Sequence, residues 1–338
     1  MKEIKIDAYN LGQQFREEGM AETAKMILGE SEMRAALLIA IVARTALLLA
    51  GAPGGGKSVV GGNAWRLFID VDEQDFATIP YDSNLQEKEL VGGSITSNKT
   101  IQRSNGDSYE ESNERSVTNI DALITKNTIG IFADELTRIN PFALNALLSA
   151  PEERRVRTNA GIVELPKFQV MISTMNPSES REATFPVGLA LASRHAVGAI
   201  AGNDLTFEGA NALQQGKIPN PELVKPVATL RQLDILRDTV DTMILPVNNA
   251  RSRFERVELA ASLLKQSVGV TEKGRLHVQI GKVARVLALF QGNDKVGEVD
   301  FNQAIRFAMA SRIGAKLPDI DQASDLLTKL HEEVVSIT

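Results

Sequence analysis

The segment Gly51-Ala52-Pro53-Gly54-Gly55-Gly56-Lys57-Ser58 constrains this chain more than any other part of it. It matches G-x-x-x-x-G-K-[ST], a loop whose glycines let backbone N–H groups wrap a polyphosphate. Apolar Leu47-Leu48-Leu49 precedes it and a helical pattern follows. The loop therefore reads as the link from a buried strand to a helix whose N-terminus faces negative charge. In that setting the backbone from Gly51 to Ser58, with Val59 after it, cradles the phosphates. Lys57 reaches the β- and γ-phosphates, and the Ser58 hydroxyl ligates Mg2+. Gly61-Gly62 falls inside the expected helix and should weaken it.

Further apolar runs at 46–50, 76–80, 128–133 and 168–173 are continuous rather than alternating, as in a parallel sheet covered by helices. Between about 85 and 125 the chain turns polar around Asn105-Gly106, a dipeptide suited to a tight hairpin turn. It reads as an exposed hairpin inserted into the core fold, with a disordered loop as the alternative. After Pro219-Asn220-Pro221 the pattern becomes helical, with apolar residues three and four apart over 230–243, 251–266, 276–291 and 300–313. The expected organisation is an N-terminal extension over 1–25 and an α/β nucleotide-binding domain over 26–205, with its insert at about 94–118. A linker over 206–225 and an all-helical domain over 226–338 follow.

Two further apolar runs end in polar groups that complete a hydrolytic site. Ile131-Phe132-Ala133 leads into Asp134-Glu135: Asp134 at the strand tip can hold Mg2+, and Glu135 can accept a proton from an attacking water. Val170-Met171-Ile172-Ser173-Thr174-Met175 leads into Asn176, an uncharged amide able to orient that water. Arg194 could project into a neighbouring subunit's nucleotide and stabilise transition-state charge, and Arg275 could close over the phosphates from the helical domain.

Composition mainly excludes. The 338 residues contain no cysteine, which removes disulfides, thiolate metal sites and Cys nucleophiles and fits a reducing, intracellular setting. A net charge of −6 with scattered Lys and Arg gives no basic nucleic-acid surface. Residues 35–43 are wholly apolar, yet Arg44 and the glycine loop soon follow. A short buried helix running into a buried strand fits better than a membrane span. The expectation is a soluble, cytoplasmic protein. His195, His277 and His331 lack metal-ligand spacing and are assigned to packing, as is Trp65 on the sheet.

The order of these motifs resembles the MoxR group of AAA+ ATPases, of the helix-2-insert clade, over roughly residues 25 to 313. The carriers are Leu28-Gly29-Glu30 through Ser58 and Asp134-Glu135-Leu136-Thr137-Arg138-Ile139-Asn140-Pro141. Ala146-Leu147-Leu148-Ser149-Ala150-Pro151-Glu152-Glu153-Arg154 follows, then Ala183-Thr184-Phe185-Pro186 leading to Arg194, and Gly292-Asn293-Asp294-Lys295-Val296 leading to Asp300. Asn176 looks like the family's polar sensor. Ser193-Arg194-His195 stands where the family has Asp-Arg-Phe, and Gly274 replaces the Pro before the lid arginine. The resemblance implies a P-loop AAA+ core with a parallel sheet and inserted β-hairpin, followed by an all-helical lid. It implies ATP and Mg2+ as cofactors and a homo-oligomeric ring, usually a hexamer, with ATP bound between subunits. It also implies remodelling of a protein client, often one with a von Willebrand A domain, here on another chain. A DNA translocase and a slow, nucleotide-gated structural ring are the alternatives.

Overall fold

The computed structural model describes residues 2–80, 82–83, 85, 87–92, 99–102, 108–111, 122–147, 149–159, 161–176, 189–202, 207–216, 218–246, 249–317 and 319–336. Two helices, α1 (Lys2–Thr23) and α2 (Ser31–Ala43), lead into β1 (Ala46–Gly51) and a short α3 (Lys57–Gly62). Then come β2 (Phe76–Ile79), α4 (Glu87–Val91), and a hairpin of β3 (Lys99–Gln102) and β4 (Ser108–Glu111). β5 (Gly130–Ala133), α5 (Pro141–Leu147) and α6 (Ala150–Glu153) precede a second hairpin, β6 (Arg155–Thr158) with β7 (Gly161–Glu164). β8 (Val170–Met175), α7 (Leu189–Arg194) and β9 (His195–Ala201) complete the strands. Helices α8 (Phe207–Gln214), α9 (Leu230–Thr242), α10 (Ala250–Val268), α11 (Lys273–Phe290), α12 (Glu298–Gly314) and α13 (Ile320–Val335) follow.

Five strands form one sheet in the order β2-β5-β8-β1-β9, every pairing parallel. All six residues of β1 are buried, and their side chains alternate between two faces as strand geometry requires. Leu47 and Leu49 enter one apolar cluster with α2 and the C-terminal helices, while Ala46, Leu48 and Ala50 enter another with α5, α6 and α7. The first cluster runs without a break from the sheet into α9–α13, so the C-terminal helices share the core of the α/β part. Helix α1 packs against α2, α9 and α11.

Four of the five sheet strands coincide with the apolar runs, displaced by two residues or fewer at most ends. The fifth, β9, was not expected: His195-Ala196-Val197-Gly198-Ala199-Ile200-Ala201 is poor in strand formers other than Val and Ile. Packing supplies what propensity lacks. A Cβ at Gly198 would stand 2.2 Å from the backbone nitrogen of Ser311, so glycine lets α12 lie directly on the strand. The β6–β7 hairpin was likewise not anticipated, and α13 lies within the expected helical region but beyond the four segments read there. The inserted hairpin is present, although its Asn105-Gly106 turn lies outside the described residues, as do Pro177 and 183–186. α2 is apolar on all sides and buried from Ala36 to Ala43, and among the described residues no helix is long and apolar enough to cross a membrane.

Candidate nucleotide site

The sheet order brings three separate motifs together. β5, β8 and β1 are neighbours and parallel, so the chain following each strand emerges at the same edge. Open α/β sheets bind ligands at this carboxyl edge. Asp134 and Glu135 follow β5, Asn176 follows β8, and the loop 52–56 follows β1.

The loop is shaped by its glycines. Gly54 and Gly56 adopt φ of 84° and 73°, which side chains resist, and a Cβ on Gly56 would meet Ile27 at 2.4 Å. Lys57 is only 5% exposed, and its Nζ donates to the carbonyls of Gly51 at 2.9 Å and Ala52 at 2.6 Å. Helix α3 ends at Gly62, which agrees with the weakness expected from two glycines. Gly61 also has a packing role: a Cβ there would lie 2.3 Å from the Phe132 ring on β5.

Asp134 is the junction. Its Oδ1 accepts from Ser58 Oγ at 2.8 Å and from Thr174 Oγ1 at 2.6 Å, joining the loop, β5 and β8 through one oxygen. Thr174 in turn accepts from the Glu135 backbone N–H at 2.9 Å. Glu135 sits at φ 51°, ψ 63°, a left-handed conformation that costs a non-glycine residue about 1 kcal/mol or more. That turn leads the chain off the strand, and Glu135 Oε1 accepts from the Asn176 backbone N–H at 2.9 Å and from Thr137 Oγ1 at 3.1 Å. The Asn176 side-chain Oδ1 is buried and has no hydrogen-bond partner among the described residues.

The two arginines form a second cluster. Arg275 Nε lies 3.2 Å from Glu152 Oε1, and Arg194 Nε lies 4.0 Å from Glu152 Oε2. Arg275 Nη1 also donates to Ser193 Oγ at 3.0 Å. Arg194 immediately precedes β9, whose first residue pairs with Ala46, whereas the phosphate loop begins after Gly51, opposite Ala201. At about 3.3 Å per residue, the two ends are roughly 17–20 Å apart along the sheet. Ser58, Asp134, Glu135 and Asn176 are therefore brought together, and Arg194 and Arg275 are placed at the other end.

Sequence reading passed over Thr174 and Thr137, which hold the two acids. The signal was available for Thr174: a hydroxyl inside a fully buried strand needs a partner. It also passed over Arg312 beside Arg194, whereas His195 is buried as its assignment to packing expects. His195 is fully buried, and burial pushes its imidazole down to about 4, so the ring is neutral. Nδ1–H donates to Leu191 O at 2.8 Å, and Nε2 accepts from Ser173 Oγ at 2.9 Å. Arg312, with no exposed surface, is pushed down to about 10 by the same cause and remains charged at neutral pH.

Residues 46–194 match the AAA domain of the dynein-related subfamily, and residues 273–330 match the AAA lid domain. The chain is 23% identical over 290 residues to the uncharacterized protein YeaC of Bacillus subtilis (strain 168), covering 86% of this chain and 83% of that protein. It is 22% identical over 306 residues to Chaperone MoxR1 of Mycobacterium tuberculosis, covering 88% of this chain and 75% of that protein. A crystal structure from Cytophaga hutchinsonii ATCC 33406, put forward as that of an ATPase, aligns with a TM-score of 0.69 at 18% identity. It covers 100% of this chain and 97% of that one, and shares its fold.

Proposed function

This chain belongs to the AAA+ ATPases and is of the MoxR type, and on that premise we propose that it forms a ring whose ATP hydrolysis remodels a protein client. The observation that carries the reading is the Ser58–Asp134–Thr174–Glu135–Asn176 chain of hydrogen bonds at one sheet edge beside the glycine loop. These residues fit the cofactors the family implies. A hydroxyl and a carboxylate 2.8 Å apart are the hard oxygen donors that Mg2+ prefers, and Ser58 and Asp134 would hold it. When bound, Mg2+ offsets negative charge on the phosphate oxygens.

The remaining work falls to the chain itself. Backbone amides of residues 51–58, with Val59 beyond them, bind phosphate oxygens, and Lys57 exchanges the carbonyls of Gly51 and Ala52 for them. Glu135 takes the proton of the attacking water. Asn176, whose Oδ1 has no protein partner among the described residues, holds that water in line. Arg194 lies too far along the sheet to serve its own loop, which supports a role on the nucleotide of an adjacent subunit. Arg275, tied to the same Glu152, belongs with it and reports lid position. The C-terminal residues 226–338 act as the lid. The likeness to Chaperone MoxR1 supports a protein client, and a von Willebrand A domain on another chain is the candidate.

The test is ATP turnover against protein concentration for wild type, Glu135→Gln and Arg194→Ala. Specific activity is expected to climb with concentration and to fall about a thousandfold in Arg194→Ala. Mixing the two inactive variants should restore part of it. Concentration-independent turnover with a silent Arg194→Ala would show a monomeric ATPase and remove the ring.

A further inference from the structure

The residues on either side of Arg194 are held by the C-terminal helices through buried polar groups. On α11, Gln279 Nε2 donates to the Ser193 carbonyl at 2.9 Å. On α12, Arg312 Nη2 donates to Gln279 Oε1 at 2.6 Å and to the same Ser193 carbonyl at 3.4 Å. Arg312 Nη1 reaches the His195 carbonyl at 3.4 Å and is fixed on its own helix by Ala308 O at 2.7 Å and Ser311 Oγ at 3.1 Å. Ser193, His195 and Arg312 are all fully buried, whereas the Arg194 side chain between them keeps 28% of its surface exposed. No carboxylate is bonded to the Arg312 guanidinium among the described residues: carbonyl and hydroxyl oxygens take its two Nη groups, and its buried Nε has no hydrogen-bond partner there. A charge buried in this way is expensive, and a pair of apolar residues would fill the space at less cost. Its geometry instead matches a planar fork that reads the backbone on both sides of one residue.

We propose that Arg312 and Gln279 are positioning residues for Arg194, so that the lid helices of one subunit set the hydrolysis rate at the neighbouring subunit's nucleotide. The inference rests on the reading of Arg194 as a residue acting across the ring. Two physical consequences follow. A shift of α11 or α12 moves the Ser193 and His195 carbonyls and re-aims Arg194, because Gln279 and Arg312 bond them directly. Gln279→Met leaves the subunit's own phosphate loop intact, since Gln279 meets the Ser193 end of β9, whereas α12 also touches Ala50 beside the loop through Gly314.

Complementation separates positioning from a general structural role. Gln279→Met removes one arm of the bracket at similar volume, and Arg312→Met removes the other. In folded Gln279→Met, turnover is expected to fall about a hundredfold, the effect of a misplacement near 1 Å, with nucleotide affinity unchanged. Mixed with Glu135→Gln, which supplies an intact Arg194, activity should return. Mixed with Arg194→Ala it should stay lost, because both variants lack the same group. If Arg194→Ala is rescued by Glu135→Gln but Gln279→Met is not, or if Gln279→Met turns over like wild type, the positioning role is wrong while the ring stands. If Arg194→Ala is itself silent, the reading of Arg194 fails and the positioning role goes with it. Should Arg312→Met not fold, Gln279→Met decides alone.

Discussion

Thr174 offers the sharpest test of how the site is built, because valine copies its shape without its hydroxyl. Thr174 is 1% exposed; its Oγ1 donates to Asp134 Oδ1 at 2.6 Å and accepts from Glu135 N at 2.9 Å. A hydrogen bond to a charged group contributes about 1.5–3 kcal/mol, and a buried N–H left without a partner costs about 1–3 kcal/mol. Asp134 and Glu135 are only half-buried, so water recovers part of both terms. Thr174→Val should therefore lose about 2–3 kcal/mol, which lowers Tm by roughly 3–4 °C in a chain of this size. Thr174→Ser keeps the oxygen and loses one methyl, at about 1 kcal/mol. Activity should divide the pair more strongly. The hydroxyl holds Glu135 in its left-handed conformation, so turnover in the valine variant should fall about a hundredfold, with the serine variant near wild type. Thermal melts and steady-state ATP turnover on both variants measure this. Equal melting and equal turnover in the two would refute the account of Asp134 and Glu135 as held through Thr174.

Gly61→Ala should destabilise by about 1–2 kcal/mol in urea unfolding although alanine is the better helix former, because its Cβ meets Phe132 at 2.3 Å. Adding Phe132→Leu should cost less in that background than alone. His195 has a folded value of about 4, below its ordinary 6.5, so below pH 6.5 the unfolded chain binds a proton the native chain refuses. Stability is therefore full above pH 6.5 and falls toward pH 4, by about 2 kcal/mol at pH 5. Urea unfolding at pH 7 and pH 5 should show that loss, and His195→Gln should remove this part of the pH dependence. Arg237 donates to the last carbonyls of α2, to Ile41 O at 2.7 Å and Val42 O at 3.3 Å. Arg237→Met should cost about 2–3 kcal/mol by the same measurement, and Arg237→Lys should not restore it, since one ammonium cannot span the fork.

The sequence by itself determined the parts whose chemistry is local. A glycine loop between a buried strand and a helix, two acids after an apolar run, and an asparagine after another are each legible within ten residues. Their backbone demands allow few alternatives. It also determined that the C-terminal third is helical, because four segments carry a helical apolar period. It left β9 unread, because a strand rich in Ala and Gly forms only where α12 can lie against Gly198. It left Thr174 and Thr137 unread as supports, because their partners lie across the sheet or around a left-handed turn. The tertiary structure alone decided that Arg194 and Arg275 share Glu152, a strand's length from the phosphate loop. It alone decided that Arg312, more than a hundred residues later in the chain, meets the backbone on both sides of Arg194. Burial is the physical reason. A buried polar group must find its partner wherever the fold brings one, and spacing along the chain does not record that meeting.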